Sequence, residues 1–287
     1  MNQKKIGLLD QKINELIKLG KPMIAFGLEK IDNQIIASLK KSRRYAEIIL
    51  VCPPTIKDIA GFKIVIAEKP EEKIAEMLWN NEVEGIVRGT IDDFKTYEAY
   101  QKMSGENDLM NPGIMDDGQG RQFFLSPVSN PEAWDKEDRL SIARQIAEFM
   151  RYWELVPKIA VFAGVRHDTY PRRKDIREGV VGILNKTYED AEYIVAELKK
   201  DGYEAKNWSI DLNPAVEAGV NVVIPVNGMV GNQIFRAMMI CGGKVMSCPR
   251  WGLSRCYEDN SRTEKDFEPH MRWLVAWINS RKKISEK

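Results

Sequence analysis

Residues 221–243 read NVVIPVNGMVGNQIFRAMMICGG, and how this stretch divides decides the fold. The apolar run NVVIPV has the composition of a strand buried on both faces. It breaks into NGMVGN, a turn with two asparagines and two glycines, and resumes as QIFRAMMI at helical spacing. A buried strand running through a glycine-rich turn into a helix is half of a βαβ unit, the building block of parallel sheets. In such sheets ligands bind beyond the carboxyl ends of the strands, where glycine admits close backbone approach and the next helix offers free N–H groups. Asn227, Gly228, Gly231 and Asn232 are therefore candidate binding residues.

The same rhythm runs outward from this stretch. Toward the N-terminus, QKINELIKLG, DNQIIASLKK and EEKIAEMLWN have helical period, and MIAFG, EIILVC, FKIVIA and VEGIVRG have strand character. Residues 103–122, rich in Gly, Asn and Asp, read as a long loop with a site-lining role. FFLSPVSN reads as a short strand and turn, and Asn130 followed by Pro131 as a helix start. From Pro157, KIAVFAGV is a strand, TYEDAEYIVAELKKDG a helix closed by Gly202, and YEAKNWSIDL an extended segment. The segment from Glu264 on, EKDFEPHMRWLVAWINSRKK, is an amphipathic helix with a basic last turn.

Composition narrows the classes of function. A chain of 287 residues is long enough for two domains of moderate size. Its formal net charge is +1, and its charges are interspersed, so no footprint for nucleic acid stands out and a small molecule is the expected partner. There is neither a signal-peptide pattern nor an apolar run of membrane-spanning length, so a soluble, cytoplasmic protein is expected, with no membrane partner. Cys52, Cys241, Cys248 and Cys256 form no C-x-x-C pair, and His167 and His270 are the only histidines. No metal site is expected.

Two further strand ends share the character of the opening stretch. VEGIVRGT ends in Arg88, Gly89 and Thr90, and KIAVFAGVRHD in Gly164, Arg166, His167 and Asp168. Arginines at such ends supply bidentate recognition of phosphate or carboxylate. His167 between Arg166 and Asp168 has the makings of a general acid or base, against the plainer reading of a solvated loop histidine. G-x-G-x-x-G and the P-loop pattern are both absent, so no nucleotide is expected.

Taken in order, these residues resemble the phosphate acetyl- and butyryltransferase superfamily. VEGIVRGT resembles its aspartate-glycine-leucine-valine-serine-glycine-alanine strand end. VPKIAVFAGV resembles the strand that opens its second domain. Pro225, Gly231, Asn232, Phe235 and Arg236 stand where it has a strand ending in proline, a glycine-asparagine pair and an aromatic-basic helix; GLSRCYEDNSRTEKDF resembles its serine-arginine segment. Within the superfamily the chain is similar to the archaeal, methanogen marker group MtxX, whose name associates it with a methyltransferase.

The resemblance implies α/β architecture: two αβα three-layer domains with mainly parallel sheets and an interdomain cleft, of the isocitrate/isopropylmalate dehydrogenase type. The first domain would comprise residues 1–152 with 250–287, and the second 153–249. The implied activity is that of a transferase binding a phosphorylated or CoA-like ligand and moving an acyl or related group, as a homodimer. The alternative is an accessory subunit working beside methyltransferase subunits. Ser261 and Arg262 match the family's serine-arginine pair, and Asp266 is the nearest match to its catalytic aspartate, with Asp259 and Glu264 as rivals. Arg88 stands where the family has serine, and AGVRHD replaces a serine-rich turn. These departures fall at the implied ligand contacts and imply altered chemistry on an inherited fold.

Overall fold

Strands of three to six mainly apolar residues alternate with amphipathic helices, and the computed structural model, which describes residues 7–129, 132–173 and 182–285, arranges them in two compact units. One unit holds Asp10–Leu109 and the chain from Val245 on; the other holds Met110–Lys244 and the residues up to Leu9.

The first unit contains β1 (Met23–Gly27), β2 (Glu47–Cys52), β3 (Lys63–Ile66), β4 (Gly85–Val87), β10 (Lys244–Pro249) and β11 (Cys256–Asp259). Their order is β3-β2-β1-β4-β11-β10, parallel throughout except for the antiparallel β10–β11 pair. Its helices are α1 (Leu8–Leu16), whose first two residues fall in the other unit, α2 (Asn33–Ser42), α3 (Pro70–Trp79) and α4 (Asp93–Ser104). A long C-terminal helix, Glu268–Ser285, completes it. Ile24, Ala25, Phe26, Leu50, Val51, Ile86 and Val87 are all buried, which explains why the strands read as nearly unbroken apolar runs. Asp32 caps α2 by accepting from the N–H groups of Gln34 and Ile35, and Asp92 caps α4 through Lys95.

The second unit orders its strands β5-β6-β9-β7-β8: β5 (Gly113–Asp116), β6 (Gln122–Leu125), β9 (Val222–Ile224), β7 (Lys158–Phe162) and β8 (Glu204–Ser209). All pair in parallel except β5 with β6. Helices α5 (Lys136–Tyr152), α6 (Gly182–Lys200), α7 (Leu212–Glu217) and α8 (Gly228–Ile240) accompany them, making the C-terminal helix α9. The α/β class and the mainly parallel sheets expected from sequence are those observed.

Several sequence-based boundaries differ from this arrangement. The expected 103–122 loop contains β5, because Ile114 and Met115 are buried and pair with the apolar strand β6. Asn130 and Pro131, read as a helix start, lie outside the described residues. α5 begins at Lys136, where Asp135 accepts hydrogen bonds from the N–H groups of Glu137 and Asp138. The expected domain boundary at residue 152 also differs from the observed packing: β6 hydrogen-bonds to β9, and α5 packs on α6 and β9, so residues 110–152 sit with the second unit. Among the described residues, no helix is long and apolar enough to cross a membrane, and no three His, Cys, Asp or Glu side chains could together hold a metal ion.

Candidate functional site

In the first unit the parallel ladder β1-β4-β11 brings the ends of three strands together. Gly89, just past β4, has φ +66, and an added Cβ would lie 2.1 Å from Gly27 O and 2.7 Å from the Phe26 ring. Only glycine makes this turn without strain. Asn260, just past β11, clamps it reciprocally: Gly89 N–H donates to Asn260 Oδ1 at 3.0 Å, and Asn260 Nδ2 donates to Gly89 O at 3.0 Å. Thr90 Oγ1 accepts from the Glu29 N–H at 2.9 Å and so ties the turn after β4 to the one after β1.

Arg88 does not reach for an external anion. Its side chain is buried, with Nε 2.8 Å from Asp259 Oδ1, while its terminal nitrogens donate to the carbonyls of Gly89 and Asn260. Arg250, 3.0 Å from Asp259 Oδ2, completes the neutralisation and reaches Asp108 at 2.9 Å. Burial raises the cost of charge on Asp259, but Arg88 and Arg250 outweigh it and hold the carboxyl below its ordinary range. Arg88, expected from sequence to bind ligand, has donors that serve the strand ends themselves.

Arg262 is placed differently. It stands on the loop after β11, largely exposed, 3.0 Å from Asp93 Oδ1 at the start of α4. It lines a concavity of about 300 Å³ together with Glu29, Glu71, Arg88, Thr90, Asp93 and Lys95, among others. Ser261, half-buried on the same loop, lies 3.2 Å from Thr263 through its hydroxyl. Asp266 is turned elsewhere: its Oδ1 accepts from Ser38 Oγ at 2.7 Å and from the Glu268 N–H at 3.2 Å, capping the start of α9. Arg88, Thr90 and Arg262 are brought together, whereas Asp266 is not one of the residues lining this concavity.

The second unit uses its candidates internally as well. His167 Nδ1 lies 2.8 Å from Tyr188 Oη and Nε2 lies 2.8 Å from Asn207 O, so Nε2 carries the proton and Nδ1 accepts from the tyrosine. Tyr188 in turn stacks on Tyr170 at 3.9 Å. Arg166 pairs with Asp211 at 3.2 Å. Asn227 caps α8 through the Val230 N–H. Added Cβ atoms would meet Ser129 O at 1.7 Å from Gly228 and Pro127 O at 1.8 Å from Gly231. The room these glycines leave is filled by the chain's own backbone. Asn232 Nδ2 donates to Val128 O at 2.9 Å and reinforces the same contact.

Sequence reasoning missed two buried features. Arg139 is wholly within α5's packing face and donates to Pro225 O at 3.0 Å and Phe162 O at 2.7 Å, holding the ends of β9 and β7. In the sequence nothing sets it apart from the other charged residues around it. Glu258 and His270 are both fully buried and 2.7 Å apart. Here a signal existed: one of only two histidines recurs at helical spacing on the apolar face of the C-terminal helix.

No family model matches the chain. It is 25% identical over 224 residues to "Putative methyltransferase mtx subunit X" from Methanosarcina barkeri, 77% of this chain and 79% of that protein. The protein of the same name from Methanosarcina mazei is 25% identical over 239 residues, 81% of each. Among solved structures, a branched-chain phosphotransacylase from Enterococcus faecalis aligns with a TM-score of 0.67 at 15% identity, over 90% of this chain and 99% of that one. Both parts of the resemblance read from sequence are therefore met: the methanogen group among the sequence relatives, and the phosphotransacylase architecture in the fold.

Proposed function

We propose that this chain is a transferase that takes a phosphorylated or CoA-like ligand at the ends of β4 and β11 and moves an acyl or related group. The observation that carries the reading is Arg262: a largely exposed guanidinium, paired with Asp93, lining a concavity that Thr90 and Lys95 also line. A guanidinium so held offsets charge developing on phosphate oxygens. Ser261 stands next to it in chain order, as in the serine-arginine pair it matches. The phosphotransacylase fold supports the same reading, and the relatives' name supports a transferase.

A thermal-shift screen with CoA, acetyl-CoA and inorganic phosphate tests this. Ligand at a hundredfold excess over its Kd stabilises by about 2.7 kcal/mol. No shift with any of the three ends the proposal. Light scattering on the same preparation reads whether the protein is the homodimer implied by the resemblance.

One observation favours a second reading, an accessory subunit of a methyltransferase assembly without acyl transfer of its own. The concavity carries four carboxylates, on Glu29, Glu71, Asp92 and Asp93, against Lys95, Arg262 and an Arg88 already neutralised by Asp259. That balance repels a free anion. Co-purification of the tagged full chain with identified methyltransferase subunits, together with no shift by CoA or phosphate, selects this reading.

A further inference from the structure

Behind the Ser261–Phe267 loop runs a line of buried ionisable groups that the candidate site does not use. Glu258 on β11 accepts from Ser247 Oγ at 2.7 and 2.8 Å and from the Cys248 N–H at 2.8 Å. His270, in the first turn of α9 and fully buried, lies 2.7 Å from Glu258 Oε1 through Nδ1. Its Nε2 faces Glu264 Oε2 at 3.8 Å, an ion-pair distance rather than a hydrogen bond. Glu264 organises the loop: its Oε1 accepts from the N–H groups of Lys265 at 3.1 Å and Asp266 at 3.3 Å, and its own N–H donates to Ser261 O at 3.1 Å. One imidazole thus faces the strand through one nitrogen and the loop through the other.

The protonation state decides what this arrangement does. An imidazolium presents an N–H to both carboxylates, whereas a neutral imidazole has only one to give. Kept on Glu258, that single N–H leaves a lone pair pointing at the Glu264 carboxylate in a buried setting, where an unmatched charge is costly.

We infer that His270 is a positioning residue: as an imidazolium between Glu258 and Glu264 it ties the Ser261–Phe267 loop to β11 and so holds Ser261 and Arg262 at the concavity. That this loop presents the reacting pair rests on the function proposed above. Burial by itself disfavours charge on His270, but Glu258 and Glu264 outweigh it and lift the group to about 9. The groups facing it are Glu258 from β11, Glu264 from the loop and the Phe267 ring at 5.8 Å. Ser247 and Cys248 of β10 donate to the same Glu258 oxygen that faces His270, and the buried Cys248 thiol, pushed well up, stays neutral. The next carboxylate along, Asp259, is already neutralised by Arg88 and Arg250.

The full chain has two histidines, so imidazole NMR with a His167→Gln variant for assignment reads His270 directly. Tryptic cleavage after Arg262 and Lys265, normalised to cleavage after Lys200 at the end of α6, reports the loop without needing a ligand. The expected result is a His270 that stays protonated to about pH 9, with normalised loop cleavage rising about tenfold as local closure is lost above it. His270→Gln cleaves at the raised rate at every pH, and Glu264→Gln serves if that variant does not fold. An imidazole titrating near the ordinary value of about 6.5, or loop cleavage indifferent to both pH and the variants, overturns the inference. A pH-dependent loop in a protein that binds neither CoA nor phosphate leaves the positioning role standing and removes only the proposed function.

Discussion

Arg88 Nε lies 2.8 Å from Asp259 Oδ1, with both side chains almost wholly out of water, across the junction of β4 and β11. The pair sits where a ligand-binding arginine was expected, and its geometry makes it a brace. Replacing Arg88 with Met leaves Asp259 buried with only Arg250 opposite. Removing one partner of a buried pair costs about 3 kcal/mol, and Asp259→Asn in the same background should recover part of that loss. Urea unfolding of the two single variants and the double variant measures the coupling.

The glycines at the start of α8 are held by contact rather than by φ. Gly231→Ala places a methyl 1.8 Å from Pro127 O, a backbone atom that cannot swing aside. A loss of about 3 kcal/mol is expected from such overpacking. Gly105→Ala is the control: its φ is +70 and nothing lies within 4 Å of an added Cβ, so only the left-handed conformation is penalised, at about 1 kcal/mol. The difference between the two melting curves separates crowding from backbone strain.

Arg262 and Asp266, both read from sequence as catalytic, should part company. Arg262→Ala removes an exposed pair with Asp93 and should change stability by no more than about 0.5 kcal/mol, while abolishing the thermal shift with CoA or phosphate. Asp266→Ala removes a helix cap and the Ser38 contact, costing about 1 kcal/mol, and should leave that shift intact. A lost shift in the Asp266 variant, with its fold preserved, would return that residue to the site.

His270 also sets a pH dependence for the whole fold. Its folded value, about 9, lies above the ordinary histidine value of about 6.5. The raised group therefore contributes fully below that ordinary value and loses its contribution as pH climbs to its folded one. Unfolding free energy should fall across this window by something on the order of 3 kcal/mol, and His270→Gln should flatten the slope. A stability profile that is level from pH 6.5 to 9 in the wild type contradicts the buried charge-bridged geometry.

Much of the architecture was legible because it rests on local pattern. EIILVC and NVVIPV are apolar on successive residues because both sheet faces are covered; QIFRAMMI and DNQIIASLKK have helical period. β5 was hidden because its apolar residues lie in a segment dominated by Gly, Asn and Asp, and β10 and β11 because polar Ser247, Glu258 and Asp259 are buried within them. The residues of the candidate site were legible by type and position but not by role. Arg88, Asn227, Gly228 and Asn232 read the same whether they meet a ligand or the protein's own backbone.

By itself, then, the sequence determined the α/β class, the parallel strands and the three glycine-bearing strand ends, because periodicity and turn chemistry act between near neighbours. Tertiary structure alone decided which charges are spent inside the fold. Asp259 lies 171 residues from Arg88, Asp266 finds Ser38 from 228 residues away, and Pro127 fills the space that Gly231 leaves. Burial and hydrogen-bond saturation turned Arg88 inward and left Arg262 exposed, since a guanidinium's availability depends on the acceptors that folding brings to it.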